Sequence, residues 1–161
     1  MSSVVIIGVD PGVTGAIALL HDRGAYVHDF SDYEKSSEVV RGWIEKDRWT
    51  VKKFTIENFG SRPGKGHFGS FKLAKNLGFW IGFAVGMGMN VDLVRPQDWQ
   101  RRVIGPIQGK DTKERSLKCA RELMPYMHEF LKRKKDHNRA DALNIAYYGK
   151  LMYQAEMRIL R

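Results

Sequence analysis

The stretch Val4-Val5-Ile6-Ile7-Gly8-Val9-Asp10-Pro11-Gly12 decides the fold. Val4 to Val9 is apolar and largely β-branched, broken only by Gly8. A run apolar at both odd and even positions reads as a strand buried on both faces, in the middle of a sheet. It is too short to cross a bilayer and lacks the basic flank and cleavage pattern of an export signal. Pro11-Gly12 breaks it, and Thr14 to Leu20 resumes with small apolar residues, which predicts a hairpin turning around Gly12. Ala25 to Phe30 reads as a third strand.

Further along, the period changes from strand to helix. Val39, Val40, Trp43 and Ile44 recur at helical spacing, predicting a helix over 38–49. Phe54-Thr55-Ile56-Glu57 is a short strand ending in an acid. Residues 60–69 form a glycine-rich loop carrying Arg62, Lys65 and His67. Helical spacing over 70–87 carries Gly78, Gly82 and Gly86 at every fourth position, a face that lets another backbone approach closely. That face suits either a second copy of the chain or the chain's own sheet. Val91 to Val94 is a strand stopped by Pro96, and 98–103 a short helix or turn. Thr112 to Met124 is an amphipathic helix that Asp111 or Thr112 can cap. A last helix runs from His137 to about Leu160. The order β-β-β-α-β-α-β-α-α predicts one α/β domain over residues 1–161, a mixed sheet of about five strands with packed helices.

The 161 residues suit a single domain. One cysteine, Cys119, excludes an internal disulfide and a cysteine zinc site, and fits a reducing, cytoplasmic setting. Net charge is +9, and it is uneven. Residues 1–80 hold 11 Lys+Arg against 9 Asp+Glu, whereas 81–161 hold 16 against 9. A sequence pI near 9.7 with one basic half is the footprint of a polyanion-binding protein.

Against that background the acids stand out. Asp10 ends the first strand and Glu57 the fourth. If those strands are parallel neighbours, their ends lie about 5 Å apart, and two carboxylates so close repel unless protonated or bridged by a cation. Asp141 sits among Ala140, Ala142 and Ala146, on a helix face that must press closely on the sheet. A buried acid is expensive unless paired or ligating metal. His137 and Asn138, at i−4 and i−3, share its face, and Asp136 reaches it only if the helix starts later. Carboxylates with few soft ligands suit Mg²⁺ or Mn²⁺ rather than zinc. Two such ions can activate a water and stabilise a leaving oxygen in phosphodiester chemistry.

Three motifs carry a resemblance: Gly8-Val9-Asp10-Pro11-Gly12-Val13-Thr14-Gly15, Ile56-Glu57, and Arg139-Ala140-Asp141-Ala142-Leu143. Together they resemble the RuvC-type Holliday junction resolvases, in the short phage and bacterial branch, over nearly the whole chain. The resemblance implies an RNase H-like fold, a five-stranded mixed sheet with helices on both faces, and a homodimer that binds four-way DNA junctions. It also implies Mg²⁺-dependent paired nicking with no small-molecule cofactor. Asp10, Glu57 and Asp141 match the metal-binding acids. The family's fourth acid falls on Asn138, so Asp136 or His137 takes its place, with Asp136 the first choice, or three carboxylates suffice.

A basic residue near the scissile phosphate falls on Lys113, beside Lys110. A second falls on Gln100, so Arg101 or Arg102 would assume that part. Arg62, Lys65, Arg101, Arg102 and the run Lys132-Arg133-Lys134-Lys135 are expected to grip flanking backbone. Of the phenylalanines able to wedge open the crossover, Phe68 is the choice, with Phe59 and Phe71 read as core. The 70–88 helix is the expected dimer contact. A flap or branched-DNA endonuclease would share every acid. An actin-like phosphotransferase needs a second lobe, and a non-catalytic DNA-binding module needs no such acids.

Overall fold

A computed structural model describes residues 4–60 and 67–160. Five strands form one sheet: β1 (Val5–Asp10), β2 (Ala16–His21), β3 (Gly24–Asp29), β4 (Val51–Glu57) and β5 (Val91–Val94), in the order β3-β2-β1-β4-β5. β1 pairs antiparallel with β2 and parallel with β4, and β4 pairs parallel with β5. Every residue of β1 is buried, as a doubly covered central strand requires. Val9 lies beside Ile56 in the β1–β4 register, so the two strands end side by side with Asp10 and Glu57 as their last residues.

Alternation along the strands feeds two cores. On one face Val5, Ile7, Val9, Ile17, Leu19, Phe54 and Ile56 pack on Val40 of α1 (Tyr33–Lys46) and on Trp80 and Ala84 of α2 (His67–Gly86). On the other, Ile6, Ala16, Ala18 and Leu20 pack on α4 (Thr112–Leu123) and α5 (His137–Ile159). Each aliphatic side chain so buried contributes about 1.5–3 kcal/mol. A third cluster of Val94, Trp99, Ile104, Cys119 and Ile145 joins β5 to α4 and α5 through α3 (Pro96–Trp99), which runs on into a π-helical turn at Gln100–Ile104.

Helix α5 comes closest to the sheet at Gly8. A Cβ there would run into the backbone of Ala142 and Ala146 on α5. Ala140, Ala142 and Ala146 are wholly buried, so the small face of α5 is the one that meets the sheet. At the next contact, a Cβ on Gly149 would meet Thr55 and lie 2.8 Å from Ile6 Cγ2. Ion pairs secure both ends of α5. Arg139 binds Asp29 of β3 at 2.6 Å, and the buried Lys53 of β4 binds Glu156 at 2.8 Å and Asp92 at 2.6 Å.

Several boundaries differ from the sequence reading. Helix α1 begins at Tyr33, five residues before Glu38, because Asp32 accepts the Lys35 N–H at 2.7 Å and caps it. Its first inward residue is Ser36, so apolar periodicity starts late. Strand β4 begins at Val51, its Lys53 masked as a core position by its charge. The 3₁₀ turns Pro125–Leu131 and Lys134–Asp136 carry no periodic signal. The α2 glycines do not accommodate the sheet: among the described residues nothing lies within 4 Å of a Cβ on Gly78, Gly82 or Gly86.

Glycine substitutions separate close packing from propensity. Gly8→Ala is expected to destabilise the fold by about 3 kcal/mol or more through overpacking. Gly42→Ala, in α1 with nothing within 4 Å, is expected to stabilise by about 0.5–1 kcal/mol. Urea unfolding of both variants reads the difference.

Candidate metal-binding active site

Asp10, Glu57 and Asp141 line one cleft of about 570 Å³, at the carboxyl ends of β1 and β4 and the start of α5. Gly12, Phe59, Pro96, Gln97, Gln100, Thr112, Lys113, His137 and Asn138 complete its wall. The parallel β1–β4 pairing brings in the first two acids. The seating of α5 on Gly8 brings in the third.

Each acid has one oxygen held by a neutral donor. The Gly12 N–H donates to Asp10 Oδ1 at 3.0 Å, across the turn that Pro11-Gly12 makes. The Trp99 indole Nε1 donates to Glu57 Oε1 at 2.8 Å. The Ser116 hydroxyl donates to Asp141 Oδ1 at 2.5 Å. Burial pushes Asp10 up to about 6, against the pull of the Gly12 N–H. Burial, then the charge of Asp10, push Asp141 up to about 7, with Ser116 and Lys113 opposing. Asp141 therefore makes no salt bridge with Arg139, which is spent on Asp29 and Asp136.

Asp136 stands apart from the other acids in the structure. It is buried, but it does not line the cleft. Its carboxylate caps its own turn, accepting from Arg133 N at 2.8 Å and pairing with the Arg133 guanidinium at 2.8 Å. The 3₁₀ turn that precedes α5 turns it toward Arg133, whereas His137 and Asn138, at the helix start, face the cleft. Asn138 also donates to Thr14 O, tying α5 to the loop after β1.

The basic residues divide similarly. Lys113, in the first turn of α4, lines the cleft. Arg101 and Arg102 do not. The π-helical turn points Gln100 into the cleft and places both arginines in a neighbouring groove with Asp98, Tyr148 and Met152. Lys132 pairs with Glu129 at 2.6 Å, Arg133 with Asp136, and Lys134 and Lys135 are exposed. The Lys110 backbone N–H donates to Glu114 at 2.8 Å, and its side chain is exposed. Arg62, Lys65 and the Phe68 side chain lie outside the described residues. Phe59 and Phe71 are not core: Phe59 lines the cleft, and Phe71 is 65% exposed beside Val13, Lys72 and Lys75. Trp99 and Ser116 escaped the sequence reading, because nothing distinguishes a buried tryptophan or a helical serine that touches an acid from one that does not.

The donor set fits a hard divalent cation: three carboxylates, with His137 and Asn138 beside them. Among the described residues no three acids or histidines stand close enough to ligate one ion as placed. Like charges at one rim repel, and a cation would draw them together.

A carboxylate whose folded pKa is raised costs stability as pH climbs from its ordinary value near 3.8 to the raised one. Asp141→Asn removes that cost. In chelator, the variant is expected to match the parent near pH 4 and to gain with rising pH until about 7, by on the order of 1–3 kcal/mol. Thermal unfolding across that pH range checks the sign.

No family model matches the sequence. The chloroplastic Holliday junction resolvase MOC1 of Chlamydomonas reinhardtii is 36% identical over 87 residues, 54% of this chain. The match spans only 10% of that protein's length. RuvC of T. thermophilus, solved with a Holliday junction substrate, superposes with a TM-score of 0.63 at 19% identity, covering 96% of each chain. A second Thermus thermophilus RuvC structure gives 0.53 at 19% identity, covering 92% of this chain and 97% of that one. The chain is thus similar to the algal resolvase over about half of its own residues, and its fold is that of RuvC, an RNase H-like mixed sheet with helices on both faces.

Proposed function

We propose that residues 1–161 act as one nuclease domain, a crossover junction endodeoxyribonuclease that makes paired nicks in four-way DNA junctions in the cytoplasm. One observation carries this reading: two buried carboxylates from β1 and β4 and a half-buried one from α5 share a single cleft in a chain of net charge +9. The 36% identity to a named resolvase and the RuvC fold support the branched substrate. Among the described residues no helix is long and apolar enough to cross a membrane.

Asp10, Glu57 and Asp141 would hold Mg²⁺ or Mn²⁺, with His137 and Asn138 completing the shell. Two such ions supply an activated water and charge stabilisation at the leaving oxygen. Lys113 neutralises the scissile phosphate from the α4 side of the cleft. Gln97, Gln100 and Thr112 offer neutral hydrogen bonds to the sugar-phosphate wall. Lys110, Lys134, Lys135, Arg101 and Arg102 contact flanking phosphates without contributing to the reaction. Phe71, exposed on α2, is the described aromatic best placed to stack on an unpaired base.

Paired incision needs two copies. The open glycine face of α2, beside exposed Val85, supports a homodimer packed through that helix.

Asp10→Asn, Glu57→Gln or Asp141→Asn should lower Mg²⁺-dependent nicking by about 1,000-fold or more, the several kcal/mol of metal stabilisation at tenfold per ~1.4 kcal/mol. Junction binding in chelator should survive, because phosphate contacts supply it. Four-way, three-way, flap and linear DNA compared side by side should show symmetrical nicks only at the four-way crossover; equal flap cutting would move the assignment to a flap endonuclease. Light scattering should give a dimer, and Gly82→Leu a folded monomer that has lost paired incision.

A further inference from the structure

The hydroxyl of Ser116 has its direction fixed by a neighbour, and that neighbour is left with an unsatisfied atom. Asn144 Nδ2 donates to the Ser116 carbonyl at 3.1 Å and to Ser116 Oγ at 2.9 Å. Both residues are wholly buried. The carbonyl can only accept, so the amide must turn its nitrogen toward Ser116. Asn144 Oδ1 is then left buried without a partner. Buried polar atoms are nearly always satisfied, and an orphan calls for a reason.

The consequence runs to the cleft. Nδ2 donates to Ser116 Oγ, so the serine's own hydrogen has one place to go, Asp141 Oδ1 at 2.5 Å. The hydroxyl is a committed donor. A committed donor favours the ionised carboxylate and fixes the rotation of its plane. Asn144 lies one turn from Asp141 on α5, and Ser116 on α4, so the relay also locks the two helices at the rim.

Resting on the metal-dependent reading above, we propose that Ser116, oriented by Asn144, is a positioning residue. It takes one oxygen of Asp141 and presents the other to a divalent cation. Outer hydrogen bonds of this kind change metal affinity by about 10–100-fold.

The test is Mn²⁺ binding by the full chain without DNA, read from the loss of the free-ion paramagnetic resonance signal. Ser116→Ala should weaken binding about tenfold. Ser116→Thr, which keeps the hydroxyl, should restore it. Ser116→Ala should also recover nicking at high Mn²⁺, because Asp141 is still present. Thermal unfolding in chelator checks that each variant is folded. Wild-type affinity in folded Ser116→Ala, with Asp141→Asn impaired, overturns the positioning role alone. Equal Mn²⁺ binding by wild type and Asp141→Asn, or none by either, overturns the metal reading and the relay with it. If Ser116→Ala fails to fold, Asn144→Ala takes its place. Asn144→Ala frees the hydroxyl to rotate, and a partial loss of affinity supports the relay, whereas none rejects it.

Discussion

The close seating of α5 on β1 at Gly8 governs the rest of the molecule. Backbone meets backbone there, with no room for even a methyl group. That contact sets the height of α5 above the sheet and therefore the height of Asp141 above Asp10. The alanines of α5 serve the same end. Were the helix lifted by one side-chain layer, the third carboxylate would leave the rim and the cleft would hold two acids from neighbouring strands.

The electrostatics follow from that packing. Close seating buries Asp10 and draws Asp141 out of most solvent, and this desolvation raises their proton affinity toward neutrality. The fold does not relieve this with a nearby arginine: Arg139, two residues from Asp141, is turned to Asp29 instead. Each acid accepts a hydrogen bond from a neutral donor, Gly12 N–H, the Trp99 indole or the Ser116 hydroxyl. Neutral donors restrain a carboxylate without cancelling its charge.

Much of this was legible in the residues. The apolar run ending at Asp10, the strand ending at Glu57 and the alanine-flanked Asp141 each combine a charge with a context that resists it, and such conflicts are visible in one dimension. The succession of strands and helices along the chain followed from periodicity, whereas helices on both faces of the sheet came from the resemblance. What stayed hidden depends on direction rather than pattern. Asp136 and His137 are adjacent letters, yet a 3₁₀ turn sends one to Arg133 and lets the other face the cleft. Arg101 and Arg102 were one and two places from a cleft position, and the π-helical turn carried both into a different groove. Phe71 read as core because apolar residues recur on every side of α2, so its periodicity does not mark an outward face.

The ion pairs at the two ends of α5 have a mechanical effect. Arg139 fastens the helix to β3, at one border of the sheet, and Lys53 fastens it to β4, toward the other. A beam clamped at both supports neither slides nor pivots. Loops around the cleft can therefore vary in length and charge while the spacing of the acids stays as the sheet dictates.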